Sequence, residues 1–213
     1  MLPLALFRRP GFTAANAAGF GLHFTMFAAF FIIIQYLTQV HGDSAIQAGV
    51  ETLPWTLMPL ALSPFTGSLG GRLGSRPFVV AGLLLLAAGT AGSALAMGVG
   101  SSYAELVVPL IAIGVGIALV LPNVASAALG SALPEHIGKA SGTNTTFRQL
   151  GGVFGIAVAA LVFTQYGGYG SPASFLDGCA PALWVSAGAA GVGAVVAAFA
   201  PSRAQETALA REL

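Results

Sequence analysis

Long apolar runs without a single charged residue alternate along this chain with short segments that carry the charges. No Asp, Glu, Lys or Arg occurs in six stretches, which cover residues 10–42, 52–71, 77–104, 106–134, 149–176 and 178–202. Each stretch is long enough for the ~20 residues that a helix needs to cross a bilayer. We therefore predict six transmembrane helices near 14–40, 46–70, 77–99, 104–130, 143–166 and 180–200, followed by a short cytoplasmic tail at 201–213.

Composition supports the same class of protein. Hydrophobic residues make up 56% of the chain and charged residues only 7%, whereas a soluble domain usually carries about 25% charged residues. So few charges cannot cover a water-facing surface, but lipid solvates apolar side chains directly. The chain is therefore predicted to be an all-α integral membrane protein whose main partner is the lipid bilayer.

The positions of the basic residues predict the orientation of the helices. The first, third and fifth loops contain no Lys or Arg, and all eight basic residues lie elsewhere, namely Arg8, Arg9, Arg72, Arg76, Lys139, Arg148, Arg203 and Arg211. Cytoplasmic segments are enriched in Lys and Arg. We expect both termini in the cytoplasm of a multi-pass protein of the inner (plasma) membrane. Helices one to three and four to six then have opposite topology, as in the inverted repeats of secondary transporters.

Polar residues are distributed unevenly among the predicted spans. The first span contains Asn16, His23, Thr25, Gln35, Thr38 and Gln39, and the fifth opens with Thr143, Asn144, Thr145, Thr146, Arg148 and Gln149. Polar groups are costly in lipid, so these two helices are expected to face the interior or a cavity. The third and sixth spans are almost entirely apolar, and lipid can surround them.

The second loop is rich in glycine and arginine and contains Gly67, Leu69, Arg72, Gly74 and Arg76. These residues resemble the glycine- and arginine-rich loop motif of the major facilitator superfamily, and the resemblance gives this loop a gating role. Gly71 stands where the motif has an acid, and Ser75 stands at the first closing basic position. These two departures are typical of the degenerate second copy of the motif, which lies in the C-terminal half of such transporters.

Further stretches resemble the C-terminal half of fourteen-span drug:proton antiporters, in the same order. They are residues 6–16, Gly114 to Asn123, Leu133 to Gly142, and Arg148 to Gly152. The resemblance implies half of a transporter that exports hydrophobic or cationic small molecules against a proton gradient, with no cofactor. It also implies a partner, which is either the missing N-terminal half or a second copy of this chain.

His23 is the first candidate for substrate contact or proton coupling. It follows Arg9 by 14 residues, or about 21 Å of helix, which places it near mid-membrane. Asn16, Phe20 and Phe27 share its face at helical spacing. This stripe is either a cavity wall that binds substrate, with a histidine that titrates, or a lipid-facing and packing surface in which His23 bonds a backbone carbonyl.

Further candidates lie in the fourth and fifth spans. Arg148, with Gln149 beside it, either pairs with an acid or the missing domain, or extends to the cytoplasmic interface. Asn123 follows Pro122, and a proline bend there would shape a cavity beside it. In the second loop, Arg72 and Arg76 also have a simpler role, because positive charge at the cytoplasmic face sets topology.

Several other functions find no support in the sequence. There is no G-x-S-x-G motif or P-loop, so we predict neither an enzyme nor an ATP-driven pump. One cysteine, Cys179, and three scattered histidines predict no metal site, and the absence of a basic run argues against nucleic-acid binding. The alternative to transport is a structural or assembly protein, a half-domain that is inactive alone.

Overall fold

The computed structural model describes residues 4–132 and 134–200, and every regular element within them is helical, which confirms the all-α class. The helices are α1 (Pro10–Gln39), α2 (Ala45–Glu51), α3 (Leu53–Leu73), α4 (Ser75–Ala96), α5 (Tyr103–Gly130), α6 (Ile137–Tyr166) and α7 (Pro172–Ala198). Short 3-10 turns precede α1 at Leu4–Arg8 and α6 at Pro134–His136. The predicted tail, with Arg203 and Arg211, lies outside the described residues.

Within the described residues, six long helices lie where the six spans were predicted, but their ends differ. The second predicted span, 46–70, is divided at Thr52 into the short helix α2 and the longer α3. The last helix begins at Pro172 rather than near residue 180, because Ser171 caps it by accepting a hydrogen bond from the Ser174 amide. Cys179 therefore lies inside α7 and is buried, not in a loop.

Five of the described helices, α1, α4, α5, α6 and α7, are long and apolar enough to cross a membrane. The remaining long helix, α3, is not among them, because its prolines and its many Ser, Thr and Gly residues lower its hydropathy. A sixth span in α3 stays a prediction.

The helices pack around α1, which contacts α4, α5, α6 and α7. The main apolar core lies between these helices, and large side chains such as Leu22, Tyr36, Leu83 and Leu110 are fully buried in it. By contrast, α3 packs mainly on α5, and only Trp55 and Gly70 of its residues are buried. Helix α3 is thus at the edge of the bundle.

Two arginines cap helix ends on the same side of the bundle. The guanidinium of Arg9 donates to the carbonyl of Ser131 (2.9 Å), just after α5, and that of Arg76 donates to the carbonyl of Ala198, the last residue of α7. The last carbonyls of a helix have no partner within it, and they carry a partial negative charge. Positive charge at this end of the bundle therefore stabilises the ends of α5 and α7.

Proline and glycine shape α3 and α5 where they meet. Helix α5 continues through Pro122, which removes the hydrogen bond to the carbonyl of Ala118, four residues earlier. The Thr66 hydroxyl of α3 donates to that carbonyl at 2.6 Å. Just after the C-terminal end of α3, Gly74 alone separates α3 from α4, with a φ of 94° that L side chains rarely adopt.

Candidate functional site

Helices α1 and α6 approach each other at backbone distance. A Cβ atom at Gly151 or Gly155 of α6 would collide with the carbonyls of Phe20 and Phe24 in α1, and one at Gly152 would lie 2.9 Å from the Phe27 ring. The GxxxG spacing of Gly151 and Gly155 predicts such a close contact. The contact brings the polar residues of the two helices together.

An asparagine pair joins the two helices near the end where α1 begins. Asn144 of α6 donates to the side-chain oxygen of Asn16 in α1 at 3.2 Å, and Asn16 donates to the carbonyl of Phe12 at 2.7 Å. Both side chains are buried. The predicted candidate Asn16 is therefore part of the contact between α1 and α6.

His23 is also buried on this side of α1, with 6% of its surface exposed. Its Nδ1 atom lies 3.1 Å from the carbonyl of Gly19, one turn earlier. Since a carbonyl only accepts, Nδ1 carries the hydrogen, and Nε2 of the neutral ring keeps its lone pair. The ring therefore has one nitrogen free to accept a proton or a hydrogen bond.

Arg148 of α6 lies next to His23. Its side-chain carbons pack on Gly19, where an added Cβ would be 3.2 Å away, and its charge is close enough to His23 for an electrostatic interaction. The Nε atom is buried and makes no hydrogen bond within the described part of the chain. A half-buried guanidinium with a buried donor is poised to bind an acceptor from elsewhere.

Aromatic rings flank these polar groups. The ring centroids of Phe20 and Phe24 are 6.2 Å apart, as are those of Phe20 and Phe154, and Phe27 lies 6.1 Å from His23. We call this set the α1–α6 seam, defined as Asn16, Phe20, His23, Phe27, Asn144, Arg148 and Phe154. It combines flat apolar rings with one cation and one titratable group.

Two other predicted candidates lie outside the seam. Asn123 faces α3, where its amide donates to the carbonyls of Thr66 (3.2 Å) and of Leu119 in its own helix (2.8 Å). Its side-chain oxygen lies so close to Gly70 that only glycine fits there. Gln149 is exposed on α6. The proposed cavity beside Asn123 is thus a closely packed contact between α3 and α5.

The residues of the loop motif serve packing, turning and capping. Gly67 packs on Pro122, where an added Cβ would be 3.2 Å away, and Gly74 makes the turn. Arg76 caps α7, whereas Leu69 and Arg72 are exposed. The gating role of the motif stays a prediction.

Sequence reasoning missed the part played by Phe24 and Phe154. Phe154 immediately precedes Gly155, so the GxxxG motif already places it beside the helix contact. Which phenylalanine of α1 it meets depends on the register between the helices, which the backbone contacts of Gly151 and Gly155 set.

The bundle and its seam have the form of one half of a membrane transporter, and comparison with known proteins identifies the family. A family model described as Major Facilitator Superfamily matches residues 16–212. The chain belongs to the Major Facilitator Superfamily, as its loop motif indicated, and the members of this family are transporters, not enzymes.

Several bacterial relatives of this chain are named as resistance, export or multidrug transporter proteins. The chain is 29% identical to the methylenomycin A resistance protein of Streptomyces coelicolor, over 83% of this chain and 37% of that protein. It is 31% identical to the tetracenomycin C resistance and export protein of Streptomyces glaucescens, over 78% of this chain and 30% of that one. It is 28% identical to the multidrug transporter protein MdtP of Bacillus subtilis, over 79% of this chain and 31% of that protein. The chain thus spans about a third of the length of these relatives.

Proposed function

We propose that this chain is the C-terminal six-helix half of a proton-coupled efflux transporter for hydrophobic or cationic small molecules. The observation that carries the proposal is the α1–α6 seam, where His23 lies close to Arg148 and to the Phe27 ring, and where Phe20 of α1 meets Phe154 of α6. Rings of this kind bind apolar and cationic ligands. The names of the bacterial relatives, which denote drug resistance and export, support the same substrate class.

His23 is the residue that we propose for proton coupling. With Nδ1–H bonded to Gly19, its Nε2 atom is the one that takes up and releases the proton. A full charge at a helix centre costs about 2.5–3.5 kcal/mol on the insertion scale for Arg, Lys and Asp. Proton uptake would therefore need the seam to open to water or to an anion, which links it to a change in shape.

A partner is part of the proposal, because α6 presents an apolar surface beside the seam. Leu150, Val153 and Phe154 of α6 are each exposed. In a half-transporter this surface faces the other half. We propose that an N-terminal half, or a second copy of the chain, covers it and completes the substrate path.

The proposed orientation, with both termini in the cytoplasm, can be tested by cysteine labelling. The native Cys179 is buried and gives a low background. Exposed glycines with open space provide the two probe sites, Gly138→Cys in the first turn of α6 and Gly170→Cys after the helix. An impermeant thiol reagent added to whole cells should label residue 170 at once, and residue 138 only after permeabilisation. The reverse order would contradict the proposed topology.

Transport is tested by proton-driven dye efflux in membrane vesicles that contain this chain with and without a co-expressed N-terminal half. Efflux is expected when both halves are present. Efflux from vesicles with this chain alone would indicate that a second copy takes the place of the N-terminal half. His23→Gln should impair it or shift its dependence on pH between about 6 and 8, while insertion and expression stay normal. Thr90→Val on the apolar helix α4 is the matched control and should transport normally.

Two results would overturn parts of the proposal. If His23→Gln transports like the unmodified chain at every pH and with every dye, His23 is a packing residue. If the paired halves transport nothing, the chain is a structural or assembly protein, as the alternative function predicts.

A further inference from the structure

A second group of polar side chains lies between α1 and α3, at the end of the bundle opposite Arg9. One ring nitrogen of His41 and one carboxylate oxygen each of Asp43 and Glu51 lie within 4.8 Å of one another. Asp43 precedes α2 and Glu51 is its last residue, and the short helix brings the two side chains together. None of the three belongs to the α1–α6 seam.

The phenol of Tyr36 holds the His41 ring in one tautomer. The Tyr36 hydroxyl donates to the carbonyl of Gly98 at 3.0 Å, so its oxygen is left to accept. The Nε2 atom of His41 lies 3.1 Å from that oxygen and must therefore carry the hydrogen. In the neutral ring, the lone pair is then on Nδ1, which faces the Asp43 carboxylate at 3.9 Å.

One oxygen atom of each carboxylate, Asp43 and Glu51, also lacks a hydrogen-bond donor. The Asp43 side chain is only 10% exposed. Its Oδ2 atom and the Oε2 atom of Glu51 are both buried, and neither makes a hydrogen bond within the described residues. Burial and the neighbouring Asp43 carboxylate raise the pKa of Glu51. The side-chain amide of Gln47 is a donor to the Glu51 carboxylate. Oδ2 of Asp43 and Oε2 of Glu51 nevertheless face His41 across a small space without a donor of their own, an arrangement that a cation would stabilise.

We propose that His41, Asp43 and Glu51 form a binding site for a divalent transition-metal ion of the zinc type. Two carboxylates and an imidazole suit zinc, whereas magnesium and calcium prefer oxygen ligands alone. Zinc ligands lie about 2.0–2.2 Å from the metal, so tetrahedral neighbours are roughly 3.4 Å apart. The three atoms lie within 4.8 Å of one another, so binding zinc would require them to move closer by about 1 Å.

The hydrogen bond from His41 to Tyr36 fits such a site. Metal-binding histidines usually donate their other N–H to an oxygen that fixes the ring orientation. Here that oxygen is the Tyr36 hydroxyl, which Gly98 fixes in turn. A bound ion would connect the end of α1 to α2, and through Tyr36 and Gly98 to the segment before α5.

Metal binding can be measured on the full chain, purified in detergent with a tag that lacks histidine. Zinc chloride is titrated at neutral pH by calorimetry, with magnesium chloride as the comparison. We expect one zinc ion per chain and weaker binding of magnesium. Asp43→Asn and His41→Gln should each weaken zinc binding at least about tenfold. The matched controls His136→Gln and Asp177→Asn, at other charged positions, should bind as the unmodified chain does.

A second measurement needs no variant. Zinc should raise the unfolding temperature of the unmodified chain, and a chelator should reverse the rise. The proposal is overturned if the unmodified chain shows no saturable zinc binding, if Asp43→Asn binds zinc with undiminished affinity, or if magnesium binds as tightly as zinc.

Discussion

Two helix pairs in this bundle pack through glycines in the same way, but they differ in the polar side chains between the helices. In the α4–α5 pair, a Cβ at Gly82 would lie 2.8 Å from the carbonyl of Gly116, and one at Gly116 would lie 2.7 Å from that of Gly82. In the α1–α6 pair, Gly151 and Gly155 make the corresponding contacts with Phe20 and Phe24. Both pairs thus bring backbones into direct contact through glycine, which membrane helices use in place of the hydrophobic effect.

The polar groups distinguish the pairs. In α4, Thr90 and Ser93 donate to carbonyls of their own helix, those of Leu86 (2.8 Å) and Gly89 (3.0 Å). In the α1–α6 pair, Asn144 bonds across to the other helix, and Arg148 keeps a buried donor without a described partner. Since the α4–α5 pair packs without such groups, packing alone does not account for them in the seam.

The largest effect is expected from filling the glycine contacts. Gly151→Val in α6 and Gly116→Val in α5 should each destabilise the chain by about 1–3 kcal/mol or more, because the new side chain meets backbone. Unfolding in a denaturing detergent, followed by circular dichroism, measures the loss. Gly188→Val, at an exposed position of α7 with open space, is the control and should leave stability unchanged. If only one pair loses stability, the two contacts are not equivalent.

Replacing Arg148 of the seam should abolish transport without lowering the stability of the chain. In Arg148→Met the apolar stem that packs on Gly19 remains, but the buried Nε donor is gone. We expect stability to stay the same or to rise by about 1 kcal/mol, because an unsatisfied buried donor is removed. In the paired-half vesicle assay, efflux should be lost. A clear drop in stability would show that the guanidinium holds α1 and α6 together.

The asparagine pair should contribute a smaller amount. A double-mutant cycle with Asn16→Ala and Asn144→Ala is expected to give a coupling energy of about 0.6 kcal/mol, the average for hydrogen bonds between membrane helices. The same detergent unfolding experiment yields all four stabilities in the cycle. A coupling energy of zero would mean that the 3.2 Å contact adds nothing to the pair.

The smallest effect is expected in the apolar pair. Thr90→Val removes a hydroxyl that bonds only within α4, and the carbonyl of Leu86 still has its helical partner. Stability should change by no more than about 0.5 kcal/mol. A larger loss would show that side-chain hydroxyls matter in α4 too, which would weaken the contrast between the pairs.

The helices could be predicted from the sequence because the bilayer excludes charge. Uncharged runs placed α1, α4 and α5 to within a few residues. The prediction was less accurate for α6 and α7, which begin at Ile137 and Pro172, several residues before the predicted spans. Hydrogen bonding and capping decide where a helix begins, and polar residues such as Ser171 can extend it beyond the apolar run.

The candidate site was only partly accessible from the sequence. Helical periodicity correctly placed Asn16, Phe20, His23 and Phe27 on one face of α1. It could not show that Asn123 faces α3, or that His41, Asp43 and Glu51 meet, since both depend on how one helix packs on the next.

The weak hydropathy of α3 has a consequence for biosynthesis. A segment interrupted by Pro59 and Pro64 partitions poorly into lipid alone, and its main packing partner, α5, is made later. At about 5–20 residues per second, the ribosome reaches the end of α5 roughly 3–11 s after it completes α3. During that interval Thr66 lacks its Ala118 acceptor and Gly70 lacks Asn123. The insertion machinery or a chaperone has to hold α3 until α5 arrives, so quality control of this chain is expected to act at that step.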